Sequence, residues 1–265
     1  MGGTVYLEHW GLREKPFENT PDPRFFYSSE MHAEGLSRIL YAITNNKGCA
    51  LLTGEYGCGK TALVRKAVES LSPDKYELAL LNYPIFSSAE FLSEALFQFG
   101  ADTSPGSKLE LFHRIAGFGF ENLKRGKQNI LMIDEAQLIE DSDIFEQMRL
   151  LLNLQLEDHG LITLFLVGQP ELRESIMMYP QLDQRVSVRF HLHYFAEDDV
   201  VAYIRHRLRI AGGTRDIFTP DAFRLIAKIS HGVPRRINNI CDLSLLGGLM
   251  SRVQLIDEGV VRKSQ

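Results

Sequence analysis

The sequence predicts an α/β protein in which a parallel sheet flanked by helices is followed by a small all-helical domain. Three observations carry this reading. Continuous apolar runs at residues 49–53, 128–133 and 161–167 are each short enough for a strand and bounded by turn or loop residues, the pattern of strands covered on both faces. Helix-length amphipathic segments separate them, as right-handed crossovers between parallel strands require. After Tyr194 the strand pattern stops, and only helical periodicity remains to the end of the chain.

Taken in order, residues 1–30 hold Trp10, Phe17, Phe25, Phe26 and Tyr27 among Pro16, Pro21 and Pro23. That proline density predicts an extended, docked segment rather than a helix. Its aromatic rings have two readings of equal standing: packing onto the core, or forming one wall of an adenine pocket. Met31, Leu36, Ile39, Leu40 and Ile43 recur at helical spacing and predict one amphipathic helix over 29–45. Residues 77–82 read as a second strand. Ser87 with Glu90, and Ser107 with Glu110, are capping boxes that open two further helices. Residues 143–156 read as one leucine-rich helix, and 188–192 as a fifth strand. Beyond it, helices are expected over 197–211, over 220–229 behind a Thr219-Pro220 start, and over 235–250 behind Gly232-Val233-Pro234. The chain therefore divides into a domain at 1–194, with its N-terminal docked segment, and a helical lid at 195–265.

Composition narrows the class. Among the 265 residues, 45% are hydrophobic and 24% charged, which is the balance of a globular chain with a sizeable core. A net charge of −5 gives no global pull toward nucleic acid or anionic lipid. Cys49, Cys58 and Cys241 form neither a disulfide framework nor a metal-ligand spacing, which fits a reducing cytoplasm. No apolar run is long enough to span a bilayer, and the first residues lack a signal pattern.

The chemistry concentrates at strand ends. After residues 49–53 come Gly54-Glu55-Tyr56-Gly57-Cys58-Gly59-Lys60-Thr61 and then Ala62, which leads into a helix. Strand, glycine loop and helix in this order make a P-loop, in which backbone N–H groups and a helix N-terminus converge on phosphate. Lys60 is expected to reach the β- and γ-phosphates, and the Thr61 hydroxyl to ligate Mg²⁺. Residues 130–133 end in Asp134-Glu135, the Walker B pattern. Asp134 is suited to hold the Mg²⁺ site, and Glu135 to polarise the attacking water. Gly168-Gln169 closes the next strand. Gln169 is either a polar sensor between γ-phosphate and water or a cap for the helix near Pro170. Cys58 reads as a small loop residue, with an oxidation-sensitive thiol as the minor alternative.

Two arginine clusters follow, one at Arg185 and Arg189, the other at Arg235 and Arg236. A guanidinium suits a γ-phosphate because its planar fork donates two parallel bonds. Arg236 reads better as a solvated residue. Arg205, Arg207, Arg209 and Arg215 give the lid a basic face that reads first as solvated, with a nucleic-acid backbone as the less favoured partner.

Together these motifs resemble the AAA+ ATPases. The likeness extends to Trp10-Gly11-Leu12-Arg13-Glu14-Lys15-Pro16-Phe17, Thr20-Pro21-Asp22-Pro23-Arg24-Phe25-Phe26-Tyr27, Ile133-Asp134-Glu135-Ala136-Gln137, Gly168-Gln169-Pro170-Glu171-Leu172 and Gly232-Val233-Pro234-Arg235-Arg236-Ile237-Asn238. These look like signatures of the general secretion pathway protein A family, over residues 5–255. The resemblance implies a cytoplasmic ATPase using ATP and Mg²⁺, self-associating into a ring or filament, with secretion or pilus machinery as partners. The implied location is the cytoplasm, with the inner membrane reached through a partner or a further C-terminal segment. It makes Gln169 the first sensor, Arg235 the second, and Arg185 the finger that reaches a neighbouring subunit's nucleotide, with Arg189 next. Members usually continue into a membrane helix and a wall-binding region. This chain is expected to stop after its lid, as a truncated form or a shorter homologue. Two other readings stay open: a DNA-associated ATPase like the transposition regulators, and a nucleotide-dependent assembly switch that barely hydrolyses.

Overall fold

A computed structural model describes residues 2–20, 22–84, 87–157 and 159–265. The helices are α1 (Gly2–Trp10), α2 (Glu30–Thr44), α3 (Lys60–Glu69), α4 (Ser88–Gln98), α5 (Lys108–Lys124), α6 (Ser142–Leu152), α7 (Glu171–Met177), α8 (Pro180–Asp183), α9 (Glu197–Ile210), α10 (Pro220–Ser230), α11 (Pro234–Met250) and α12 (Glu258–Lys263). The strands are β1 (Cys49–Gly54), β2 (Tyr76–Leu81), β3 (Gln128–Ile133), β4 (Gln155–Leu156), β5 (His159–Gly160), β6 (Ile162–Gly168) and β7 (Val186–Leu192). By its internal contacts the chain forms a sheet unit, Glu34–Glu55 with Leu63–Leu192, and a helical unit, Met1–Ala33 with Tyr56–Ala62 and His193–Gln265.

In the sheet unit, five strands run parallel in the order β2-β3-β6-β1-β7. Every residue of β1 and β6 is buried, as is all of β3 beyond its first residue, whereas β2 and β7 are only partly covered. That ranking follows composition: the most continuous apolar runs take the centre, where both faces are packed. Phe91, Leu92 and Leu96 of α4, Ile115 of α5 and Met148 of α6 close over Leu131, Ile133, Leu164 and Leu166. Both capping boxes form, with Ser87 and Ser107 each exchanging bonds with the glutamate three residues on. The leucine-rich helix ends sooner than its pattern predicts. Asn153 closes α6, and Gln155–Leu156 pairs antiparallel with His159–Gly160 across a turn that holds Glu157 at φ 54°.

In the helical unit, the expected extended N-terminus is instead helix α1 followed by an irregular stretch. The prolines explain the difference: Pro16 and Pro23 lie beyond Gly11, whose φ of 68° has already ended the helix. Pro21 lies outside the described residues. Trp10, Phe17 and Phe25 are buried among Phe195, Tyr203, Phe218, Ile237 and Leu245, and the Trp10 indole donates to the Leu245 carbonyl at 3.0 Å. The N-terminal aromatics thus pack with the C-terminal helices and complete that second core. This supports the packing reading for those three rings.

Thr219 caps α10 by accepting from the Ala222 N–H at 3.2 Å. Gly232 sits at φ 74°, and its carbonyl accepts from the Phe195 N–H at 3.0 Å. One more helix than expected, α12, follows an Asp257 cap and buries Val261. None of the three cysteines is in a disulfide, and all are buried: Cys49 in β1, Cys58 in the glycine loop and Cys241 in α11. Among the described residues, no helix is long and apolar enough to cross a membrane.

Candidate active site

In the sheet unit the functional groups collect on one edge. Parallel pairing sets Thr53 beside Gly168 and Ile133 beside Leu166, so β1, β3 and β6 all deliver their carboxyl ends to the same side. Gly54, Asp134, Glu135 and Gln169 therefore share that edge, where open parallel sheets hold their ligands.

Asp134 is buried, and its Oδ1 accepts from the Glu135 N–H at 2.9 Å. Glu135 stands at φ 52°, ψ 34°, the left-handed region that non-glycine residues seldom occupy. Such backbone costs on the order of 1–3 kcal/mol and persists at sites where surrounding bonds enforce it. The Glu135 carboxylate in turn is held by a residue that sequence reasoning did not single out. Gln137 donates from Nε2 to Glu135 Oε2 at 2.7 Å and accepts at Oε1 from the Gln169 N–H at 3.0 Å. A Cβ at residue 168 would meet Gln137 Oε1 at 2.6 Å, so glycine there admits the contact. The one signal in the sequence was its place two residues after the acid pair.

In the helical unit lies the tip of the glycine loop, Tyr56–Ala62. Gly57 and Gly59 hold φ of 79° and 108°, which curls the backbone just before α3 begins at Lys60. Lys60 is buried at 7% exposure. Curled amides, a helix N-terminus and a buried ammonium form a donor set suited to a polyphosphate.

The loop is braced from behind by His32, which a lone histidine on a helix gave no reason to select. Its Nδ1 faces the Ser29 hydroxyl at 2.7 Å, and its ring bonds the Cys58 backbone. Burial pushes this imidazole down to about 4, against a smaller upward pull from Asp199, so it is neutral. Phe26 and Phe195 pack against the ring at 5.7 and 5.2 Å.

Arg235 opens α11, as the Gly-x-Pro start anticipates, with its guanidinium 4.8 Å from the centre of the Tyr56 ring and bonded to the Tyr56 hydroxyl. Arg236 instead donates to the Ile229 carbonyl at 2.7 Å. The expected basic face is largely occupied by internal bonds. Arg205 pairs with Asp216 and Arg215 bonds Gln254. Arg207 is buried, bonded to the Pro16 and Glu18 carbonyls and the Tyr203 hydroxyl.

Arg185 is not brought to the edge that carries Asp134. It precedes β7, whose first residue pairs with Cys49 and whose last pairs with Gly54. The strand's length of roughly 20 Å separates it from that edge. Its Nη2 bonds Asn153 Oδ1 at 2.7 Å, whereas Arg189 is tied to Asp183 at 2.8 Å.

The AAA domain family matches residues 43–176. The chain belongs to this family. As an AAA protein it is a relative of general secretion pathway protein A of Aeromonas hydrophila, 38% identical over 246 residues, or 91% of its own length. It spans 44% of that protein. A second relative is an uncharacterised helix-turn-helix transcriptional regulator of Methanocaldococcus jannaschii, at 22% identity over 96% of this chain and 72% of that one. Among solved structures, the ORC2 protein of Aeropyrum pernix in its ADP form superposes with a TM-score of 0.72 at 18% identity, covering 94% of this chain and 71% of that one. The RuvB Holliday junction branch migration motor of Thermotoga maritima gives 0.59 at 18%, covering 87% and 67%. Likeness at those identities is likeness of fold, and it agrees with the parallel AAA sheet described above.

Proposed function

We propose that this AAA chain is an ATPase that hydrolyses ATP with Mg²⁺, working between subunits to drive assembly of a bacterial secretion or pilus apparatus. The observation that carries the hydrolysis is the acid pair: Asp134 and Glu135 at the end of a buried strand, on the sheet edge that also holds Gly54 and Gln169. In this reading residues Gly54 to Ala62 cradle the phosphates, and Lys60 offsets charge on the β- and γ-groups. Thr61 and Asp134 offer the hard oxygen atoms that Mg²⁺ takes, and the bound ion neutralises charge on the terminal phosphates. Glu135 orients and polarises water, and Gln169 and Arg235 take the two sensor roles toward the γ-phosphate. Arg185 is too far along its own strand to serve its own edge, which favours action on a neighbour's nucleotide within a ring or filament.

The secretion role draws on the relative from Aeromonas hydrophila, of whose length this chain spans under half. A DNA-associated role draws less support, since Arg205, Arg207 and Arg215 are spent on internal partners.

Hydrolysis is tested with two variants. Lys60→Ala should lose ATP binding. Glu135→Gln should bind ATP normally and lose most turnover, with general-base assistance commonly worth 10²–10⁴-fold. Wild-type turnover by Glu135→Gln in a steady-state phosphate-release assay would remove the base from this reading.

A further inference from the structure

We propose that Gln137 is the positioning residue of hydrolysis, a side-chain amide that fixes the Glu135 carboxylate and ties it to the end of β6. This inference rests on the reading of Glu135 as the water-polarising group.

The orientation of the amide follows from its partners. The Gln169 N–H can only donate, so the oxygen of Gln137 must face it at 3.0 Å. The NH₂ group is thereby turned toward Glu135, where it donates to Oε2 at 2.7 Å. One carboxylate oxygen is held by that bond, and the other is left to act on water. The Glu135 backbone is clamped from the other side by its N–H bond to Asp134 Oδ1 and by the Leu138 N–H, which donates to the Glu135 carbonyl at 2.9 Å. A left-handed glutamate is thus held at its backbone by the turn and at its head by Gln137.

The far end of the amide rests on the backbone of the residue that follows β6. Its approach depends on Gly168, where a side chain would drive into Gln137 Oε1. A displacement of the Gln169 backbone therefore moves the amide, and the amide moves the carboxylate. The base and the strand-end sensor are coupled by two hydrogen bonds through one side chain, with no need for a long pathway.

Misplacing a reacting group by about 1 Å can cost roughly 100-fold in rate, so loss of Gln137 should lower kcat by roughly 10- to 100-fold. Gln137→Met keeps the length and removes both bonds. Gln137→Glu keeps an acceptor for the Gln169 N–H and sets a like charge against Glu135. Both should lower kcat for ATP while KM and ADP affinity stay within about twofold. In a double-mutant cycle, Gln137→Met should add no further loss on a Glu135→Gln background, because Gln137 acts only through that carboxylate. Gly168→Ala should also lower kcat, though its Cβ would crowd Leu172 as well as Gln137 Oε1, so stability should fall with it.

Wild-type kcat in Gln137→Met and Gln137→Glu would overturn the proposal. So would a raised KM at unchanged kcat, or losses that multiply in the cycle. If Gln137→Met does not fold, Gln137→Glu decides the matter by the same readouts. A slow Glu135→Gln beside a fast Gln137→Met would sink this inference alone. Full turnover by Glu135→Gln would sink the hydrolysis reading and this inference with it.

Discussion

Replacing Gly232 by alanine should destabilise the helical unit far more than the same change at Gly11. Both glycines are left-handed, at φ 74° and 68°, and both lie in that unit. The backbone penalty for an L-residue in this region, about 1–2 kcal/mol, is thus nearly common to the pair. Their surroundings differ. At Gly11 an added Cβ meets nothing within 4 Å, whereas at Gly232 it would lie 2.0 Å from the Phe195 carbonyl oxygen and 3.1 Å from its nitrogen. Relieving that overlap requires a backbone shift of about 1 Å, which breaks the bond from the Phe195 N–H to the Gly232 carbonyl. Leaving those buried groups unpaired costs about 1–3 kcal/mol more. Gly11→Ala should therefore cost about 1–2 kcal/mol and Gly232→Ala about 2–5. At about 2–4 °C per kcal/mol, the first variant should melt some 2–8 °C below wild type and the second about 2–12 °C lower still. Thermal and urea melts of the whole chain, followed by Trp10 fluorescence, measure both. Equal losses would refute the reasoning, since they would mean that the Phe195 contact carries no weight.

Other expectations follow from the same geometry. Trp10→Ala should cost about 3–5 kcal/mol in a urea melt, because the ring is 2% exposed and its indole N–H is bonded to Leu245. Arg185→Ala should leave ATP affinity unchanged but abolish any rise in turnover per subunit with protein concentration; activity that is flat on hundredfold dilution would remove the neighbour from the mechanism. Arg235→Ala should weaken ATP binding more than ADP binding by calorimetry, since only ATP offers the third phosphate. The pH response of His32 has a definite sign. Its folded value, about 4, lies below the unfolded one, so the unfolded chain binds the extra proton and stability falls as pH drops from about 6.5 toward 4, by at most roughly 3 kcal/mol. His32→Gln should flatten that part of the stability profile, and an unchanged slope would assign it to the carboxylates.

Much of the fold was legible because its signals are local. Continuous apolar runs marked the central strands, serines three residues before glutamates marked helix starts, and the glycine loop lay between a strand and a helix within one short window. The N-terminal helix was not legible, because prolines nearby in sequence dominated the reading although they follow the helix rather than interrupt it. Leu156 carried a helical pattern yet pairs in a hairpin, since Asn153 ends the helix before the leucines do. At the site, the acid pair and the loop could be read from spacing. Gln137 and His32 could not, because each takes its role from partners brought by tertiary folding: Gln169 after the next strand, and Cys58 in the glycine loop. Arg207 shows the converse, a residue that looked like part of a charged surface and is an interior staple.

The three thiols have a practical consequence. Burial pushes Cys49 up to about 12 and raises Cys241 well above the ordinary thiol range. Alkylation needs a solvent-accessible thiolate, so neither should react until its surroundings open. Cys49 sits in the central β1 of one unit and Cys241 in α11 of the other. Pulse alkylation read peptide by peptide would therefore time the opening of each unit separately, in the unaltered chain and without an introduced label. Cys58, 1% exposed within the glycine loop, adds a third clock in the same experiment. Comparing its rate with and without nucleotide would report whether a bound ligand slows exposure of the loop, which turnover measurements do not.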